Sequence, residues 1–340
     1  MGKRNLMTDS HNVFDLSVVV PTYNRAELLR EMLLSLQDEL TIYKSEYCVE
    51  IIISDNASTD KTREVANSLL DLNINYSCNN ENVGVVRNII NACESASGRF
   101  VLLMSDDDLF IPGAISELLP YTIQDDGIGI VSGPVQRFSS VGSEESLGPV
   151  LFSLQKNDRV ILKQGFQAFS YFFLRASTLS ALMIRRDLID IAGVEKHVSS
   201  LYPQVYFSGK AAKLSDAVYL PNPVVKVRDN PITHWVYSDD FMASAVINIL
   251  KDLVHDEPWG SKAFSQIVRQ RIWASYGPLY ESKERSLVTF FKTLRSFAMV
   301  KEYRQSATFW SIGLLIGLLG TRLIAILRRC FRSSKTYGTK

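Results

Sequence analysis

Leu16-Ser-Val-Val-Val-Pro21, a short β-branched run closing on the turn Thr22-Tyr23-Asn24-Arg25, decides how this sequence folds. A run this short, bounded by turn residues, reads as a strand buried on both faces. Outward from it, similar runs return at Val49-Glu-Ile-Ile-Ile-Ser54, Ile74 to Cys78, Phe100-Val-Leu-Leu-Met104 and Gly129 to Val135. Stretches of helical period fill the intervals, at Ala26 to Glu39, Asp60 to Leu70, Val85 to Glu94 and Pro112 to Tyr121. This alternation predicts an α/β fold, a mostly parallel sheet with helices on both faces. In such sheets ligands collect beyond the carboxyl ends of the strands, so the residues just after each run carry the functional reading.

After the first strand, Pro21-Thr22-Tyr23-Asn24-Arg25 has no glycine, which argues against a dinucleotide-binding turn. Tyr23 and Arg25 offer instead a stacking surface for a base and a contact for phosphate. After the second stands Asp55, then Asn56-Ala-Ser-Thr-Asp60. The Asp55 carboxylate can accept from a pyrimidine N–H or a ribose hydroxyl. Ser58 or Thr59 reads as a helix N-cap, with Asp60 in the first turn. In Asn82-Val-Gly-Val-Val-Arg-Asn88, Gly84 permits a tight turn, and Arg87, one turn into a helix, is placed to meet a phosphate or buttress an acidic cluster. That cluster is Asp106-Asp107-Asp108, at the end of the fourth strand. Three adjacent carboxylates repel one another without a cation, and Mg²⁺ or Mn²⁺ characteristically bridges one or two carboxylates and a substrate diphosphate. The alternative is a solvated acidic turn capping the helix that starts at Pro112.

Taken in order, Pro-Thr-Tyr-Asn-Arg, Asp-Asn-Ala-Ser-Thr-Asp, Asn-Val-Gly-x-x-Arg-Asn and Ser-Asp-Asp-Asp resemble the family 2 glycosyltransferases of GT-A (Rossmann-like) fold, over roughly residues 14 to 135. More loosely, Ser180-Ala-Leu-Met-Ile-Arg-Arg186, Ser200 to Gln204 and Leu220 to Asn230 resemble O-antigen enzymes of the abequosyltransferase type. The resemblance implies an inverting transfer of a hexose or deoxyhexose from a nucleotide-sugar to a hydroxyl of a glycan or polyprenyl-diphosphate-linked acceptor. It assigns Pro21, Thr22, Tyr23, Arg25, Asp55, Asn56, Arg87 and Asp106 to the donor, and Asp107 with Asp106 to Mg²⁺ or Mn²⁺, with Asp108 in support. The chain departs from many relatives where an acidic pair supplies the acceptor base, for the region here reads Ser199-Ser-Leu-Tyr-Pro-Gln204. Asp229 and Glu195 are the remaining candidates, and without a base the alternative is a non-catalytic nucleotide-sugar-binding or scaffolding subunit.

The composition, 46% apolar and 21% charged, is that of a globular protein and speaks against a nucleic-acid binder. Cys48, Cys78, Cys93 and Cys330 lack paired spacing, and Met1 to Asn12 is polar without a signal-like apolar run, so a reducing, cytoplasmic setting is expected. We read residues 1–12 as a polar tail and 13–235 as the catalytic domain, with a nucleotide-sugar half (13–135) and an acceptor half (159–235). Ser139 to Asp158 reads as a long loop between them. Beyond it lie a helix near Gln164 to Leu174, an apolar run at Leu179 to Ile184, a helix at Tyr202 to Lys213 and paired short strands at Ala217 to Leu220 and Val224 to Arg228. Residues 236–305 are helical in pattern, and 306–340 are apolar and basic. From Lys301 the chain carries +7, leaving −6 for the rest. Phe309 to Leu327, interrupted by Arg322, just reaches the about 20 residues of a span. It suits a membrane crossing or, at least as well, a monotopic, peripheral or re-entrant helix on the cytoplasmic membrane face, or else a buried core or dimer helix close-packed at Gly313 and Gly317.

Overall fold

A computed structural model describes residues 14–43, 47–69, 72–123, 127–141, 144–153, 158–176, 178–229 and 239–318. The chain divides into two compact units, Met1–His234 and Trp235–Lys340.

In the first unit, β1 (Leu16–Thr22), β2 (Val49–Asp55), β3 (Ile74–Cys78) and β4 (Phe100–Leu103) pair in parallel in the order β3-β2-β1-β4. Their side chains alternate between two apolar faces. One face, with Leu16, Val18 and Val20 of β1 and Ile51 and Ile53 of β2, buries Leu29, Met32, Leu33 and Leu36 of α1 (Ala26–Tyr43). That spacing is one stripe of a 3.6-residue helix, and each buried aliphatic side chain contributes about 1.5–3 kcal/mol. The strands are flanked further by α2 (Thr62–Ser68) and by α3 (Val85–Glu94), whose Val86, Ile89 and Ile90 are buried. After the short β5 (Leu109–Phe110), α4 (Ala114–Leu118) and α5 (Pro120–Ile123) occupy the stretch expected as one helix. Pro120 divides it, having no N–H to continue the ladder.

Beyond that point the sheet turns mixed. Following β6 (Ile128–Ser132), β7 (Val135–Val141), β8 (Glu144–Leu151) and β9 (Val160–Leu162) come α6 (Phe166–Phe173), β10 (Leu182–Arg185), α7 (Ile191–Glu195), α8 (Pro203–Leu214), β11 (Asp216–Tyr219) and β12 (Val225–Arg228). The large sheet runs β3-β2-β1-β4-β10-β6-β11-β9, with β10 antiparallel to both its neighbours. A smaller sheet runs β5-β12-β7-β8.

Two expectations are corrected here. The stretch read as a loop, Ser139 to Asp158, contains the end of β7 and all of β8, which pair antiparallel; its polar residues give no hydrophobic period to read. The strands β11 and β12 exist but do not pair with each other, because β11 joins the large sheet and β12 the small one. Pro221 and Pro223 between them favour extended backbone over a tight hairpin.

The second unit is helical: α9 (Asp239–Val254), α10 (Gly260–Ala274), α11 (Tyr276–Arg285), α12 (Leu287–Met299), α13 (Lys301–Arg304) and α14 (Ala307–Leu318). Its core joins Leu279, Phe290, Phe297, Tyr303, Phe309 and Ile316. Ser286 caps α12, its Oγ accepting from the Thr289 amide at 3.0 Å. Among the described residues no helix is long and apolar enough to cross a membrane. The tail at 1–12 and the stretch 319–340, including Arg322 and the basic cluster after it, lie outside the described residues.

Candidate functional site

The carboxyl ends of β1, β2 and β4 converge on one buried polar cluster. Parallel pairing sets Thr22 opposite Asp55, and the Met104 amide donates to the Val19 carbonyl, so the chain leaves β4 beside the end of β1. Asp106, Asp107 and Asp108 follow, all buried. The solvated helix-capping turn is thereby excluded, and that helix has a different cap: Glu39 of α1 accepts from the amides of Gly113 (2.9 Å) and Ile115 (3.1 Å).

Each carboxylate has named partners. Asp106 accepts from Thr22 Oγ1 (2.7 Å) and Arg25 Nη1 (2.8 Å). Asp107 accepts from Ser105 Oγ (2.6 Å) and, more weakly, from Arg25 Nη1 (3.3 Å). Asp108 accepts from Ser180 Oγ (2.6 Å) and the Arg228 amide (3.0 Å). The Arg228 guanidinium donates to the Asp107 carbonyl (3.0 Å) and to Glu31, and lies 4.6 Å over the Phe138 ring. Arg25 thus answers Asp106 and Asp107, Arg228 answers Glu31, and Asp108 has only neutral donors, so the four carboxylates exceed the two guanidinium groups by two negative charges when all are ionised. Burial pushes the Asp106 carboxyl up to about 6, against the pull of Arg25 and with Asp107 adding to the push. Asp108 is raised by burial first and by the charge of Asp107 second.

Beside this cluster, Asp55 accepts from the Ser58 amide (2.9 Å) and the Tyr76 hydroxyl (2.6 Å). A carboxylate has about four acceptor positions, so capacity for a ligand N–H or O–H remains. Asn56 is locked by asparagines and backbone: its Nδ2 donates to Asn82 (2.8 Å), and its Oδ1 accepts from Asn79 (3.2 Å) and the Val83 amide (2.9 Å). Tyr23 is exposed at the rim and Pro21 is half-buried. Asn24, at φ 53°, ties the loops after β1 and β2 together, its amide donating to Ser58 Oγ (2.8 Å) and its Oδ1 accepting from the Thr59 amide (2.7 Å).

Residues 17–182 match the family model described as glycosyl transferase family 2. This segment is a family 2 glycosyltransferase domain. A GalNAc(5)-diNAcBac-PP-undecaprenol beta-1,3-glucosyltransferase of Campylobacter jejuni is 40% identical over 107 residues, covering 31% of this chain and 33% of that protein. The abequosyltransferase RfbV of Salmonella typhimurium is 34% identical over 109 residues, 31% of this chain and 32% of its own length. The chain therefore aligns with about a third of the length of each of these two relatives. Residues 1–349 of S. aureus TarS, solved in complex with UDP-GlcNAc, superpose with a TM-score of 0.61 at 17% identity, covering 89% of this chain and 90% of that one, and share the GT-A fold.

Within the glycosyltransferase domain the fold brings Thr22, Arg25, Asp55, Asn56 and Asp106 to Asp108 to one strand edge, whereas Arg87 and Asp60 sit differently from expectation. Arg87 of α3 pairs with Glu195 of α7, not with the acidic cluster. The guanidinium groups that buttress the cluster are Arg25 and Arg228. Asp229, the other proposed base, is paired to Arg137 of β7 and follows Arg228 directly. Asp60, rather than Ser58 or Thr59, does the capping from outside the first turn, accepting from the Ala26 amide at the head of α1 (3.0 Å) and the Thr62 amide at the head of α2 (3.0 Å). Sequence reasoning assigned no role to Ser180 or Arg228. Arg228 had a signal, closing the alternating strand Val225-Lys-Val-Arg; Ser180 had none.

Proposed function

We propose that the chain transfers a sugar from a nucleotide-sugar to a hydroxyl of a membrane-linked glycan or lipid-carrier acceptor, in a metal-dependent inverting displacement on the cytoplasmic membrane face. The observation that carries this reading is the burial of three consecutive carboxylates, in excess over their guanidinium partners, at the end of β4. Asp107 and Asp106 are the residues to hold Mg²⁺ or Mn²⁺, with Asp108 in support. Among the described residues no group of three or more His, Cys, Asp or Glu side chains is arranged to hold an ion alone. Mg²⁺ or Mn²⁺ characteristically takes one or two carboxylates and completes its shell with substrate oxygens and water. When bound, the cation neutralises the departing nucleoside diphosphate.

Asp55 takes the base or ribose, Tyr23 stacks at the rim, and Thr22 and Arg25 orient Asp106. The name of the Campylobacter relative supports a lipid-linked acceptor, and the TarS complex supports a nucleotide-sugar donor. For acceptor deprotonation the fold favours Asp229 over Glu195. β12 delivers Asp229 one residue after Arg228, which holds Asp107 and Asp108, whereas Glu195 answers Arg87 on α3.

A thermal-shift screen of nucleoside diphosphates with and without Mn²⁺ tests the donor half. At about a hundredfold excess over Kd a bound nucleotide adds about 2.7 kcal/mol, which is a rise of roughly 5–10 °C for a domain of this size. The rise should need Mn²⁺ and vanish in Asp107→Ala. An Asp107→Ala protein stabilised as much as its parent sinks the metal assignment.

A further inference from the structure

The outward faces of α12 and α14 are apolar where a water-facing helix is normally charged. Both helices turn their inner faces into one core: Phe290 and Phe297 from α12, Phe309, Ile312 and Ile316 from α14. A Cβ on Gly313 would sit 2.7 Å from Leu294, and one on Gly317 3.3 Å from Phe290, so the glycines let α14 pack closely against α12. On the outside, α12 presents Leu287, Val288, Phe291 (60% exposed) and Met299; α14 presents Trp310, Leu314 (64%) and Leu318 (74%). The polar exceptions on the α12 face are the exposed Lys292 and Arg295, neither ion-paired among the described residues, and neither helix contains an acid.

From this arrangement we propose that the outer faces of α12 and α14 dock flat on an anionic lipid bilayer. The face combines bulky apolar side chains, a tryptophan and unpaired cations, the composition by which an interfacial helix settles at the headgroup boundary. Charge selects the bilayer over other occupants. A second copy meeting this face symmetrically brings Lys292 and Arg295 against their own kind with no acid on either helix to answer them. Residues 319–340 carry six Lys or Arg and no Asp or Glu, so they too repel the face while adding to its attraction for anionic lipid. The proposal does not rest on the transferase reading: a protein without catalytic activity docks equally well.

The test is co-sedimentation of the full chain with phosphatidylcholine vesicles and with vesicles that also contain phosphatidylglycerol. The parent should bind the anionic vesicles more tightly. The triple variant Phe291→Glu, Leu314→Glu, Leu318→Glu should bind at least about tenfold more weakly, and Lys292→Gln with Arg295→Gln should cost about fivefold per cation on anionic vesicles alone. All five positions are exposed, so the variants should melt like the parent and keep its nucleotide-dependent thermal shift. Absence of vesicle binding by the parent overturns the proposal. So does undiminished binding by the triple variant, which assigns attachment to residues after 318, or a parent dimer that the triple variant splits while vesicles stay unbound. A parent that binds vesicles but shows no nucleotide-dependent shift leaves this proposal standing and removes the donor-binding one.

Discussion

Asp106→Asn should make the metal-free protein more stable while destroying its donor site. Burial lifts the Asp106 carboxyl from 3.8 to about 6. Since the folded state holds the proton more tightly than the unfolded chain, the penalty is absent below pH 4, grows as pH rises, and is complete once the carboxyl ionises above about pH 6. At about 1.36 kcal/mol per pKa unit the full penalty is about 3 kcal/mol, an upper bound because the asparagine loses the charge-assisted part of the Arg25 bond. The amide still offers an oxygen to Arg25, and Thr22 can accept from its nitrogen, so no partner is stranded. Melts in EDTA at pH 8 should therefore show the variant higher by roughly 1–3 kcal/mol, or about 2–10 °C, with the gap closing as pH approaches 4. The same variant should lose the Mn²⁺-dependent nucleotide shift. A variant less stable than its parent at pH 8 refutes the reasoning, for then Arg25 and Thr22 outweigh the burial of the charge.

Two further outcomes follow from the same geometry. Protons and cation compete for Asp106 and Asp108, both raised by burial, so the Mn²⁺-dependent nucleotide shift should be full at pH 8 and fade as pH falls below about 6; a shift unchanged at pH 5 places the cation elsewhere. Gly98→Ala should destabilise by about 1–3 kcal/mol or more, because a Cβ there lies 2.6 Å from the Ser17 amide nitrogen and 2.8 Å from the Leu16 carbonyl carbon; chemical denaturation giving less than about 0.5 kcal/mol contradicts the close approach.

The first half of the glycosyltransferase domain was legible because period and motif agree there. The β-branched run at Leu16 to Pro21 is too short for a helix, Leu29, Met32, Leu33 and Leu36 fall on one helical stripe, and the polar residues sit where each strand ends. What the sequence hid was long-range. Ser180 donates to Asp108 across a separation of 72 residues and Arg228 to the same carboxylate across 120, and no local pattern ties them. Arg87 pairs with Glu195 across 108 residues, a long-range contact without a sequence period. The β7–β8 pair escaped notice because its polar residues give no hydrophobic period, while its register is carried by main-chain pairing. The apolar outer faces of α12 and α14 were only half visible: the composition of 306–340 pointed to a membrane, but Leu287, Val288 and Phe291 precede that stretch, and their exposure follows from which face of α12 enters the core.

The central claim, that the buried aspartates bind a nucleotide-sugar in order to spend it, is tested most directly by nucleoside diphosphate release. The full chain is incubated with a panel of nucleotide-sugars and Mn²⁺, with and without glycolipid acceptors. The account predicts release from at least one donor, lost in EDTA and reduced at least about a hundredfold in Asp107→Ala. Undiminished release from Asp107→Ala, or tight Mn²⁺-dependent nucleotide binding with no release from any donor, contradicts it, and the second result assigns the chain to a non-catalytic binding subunit.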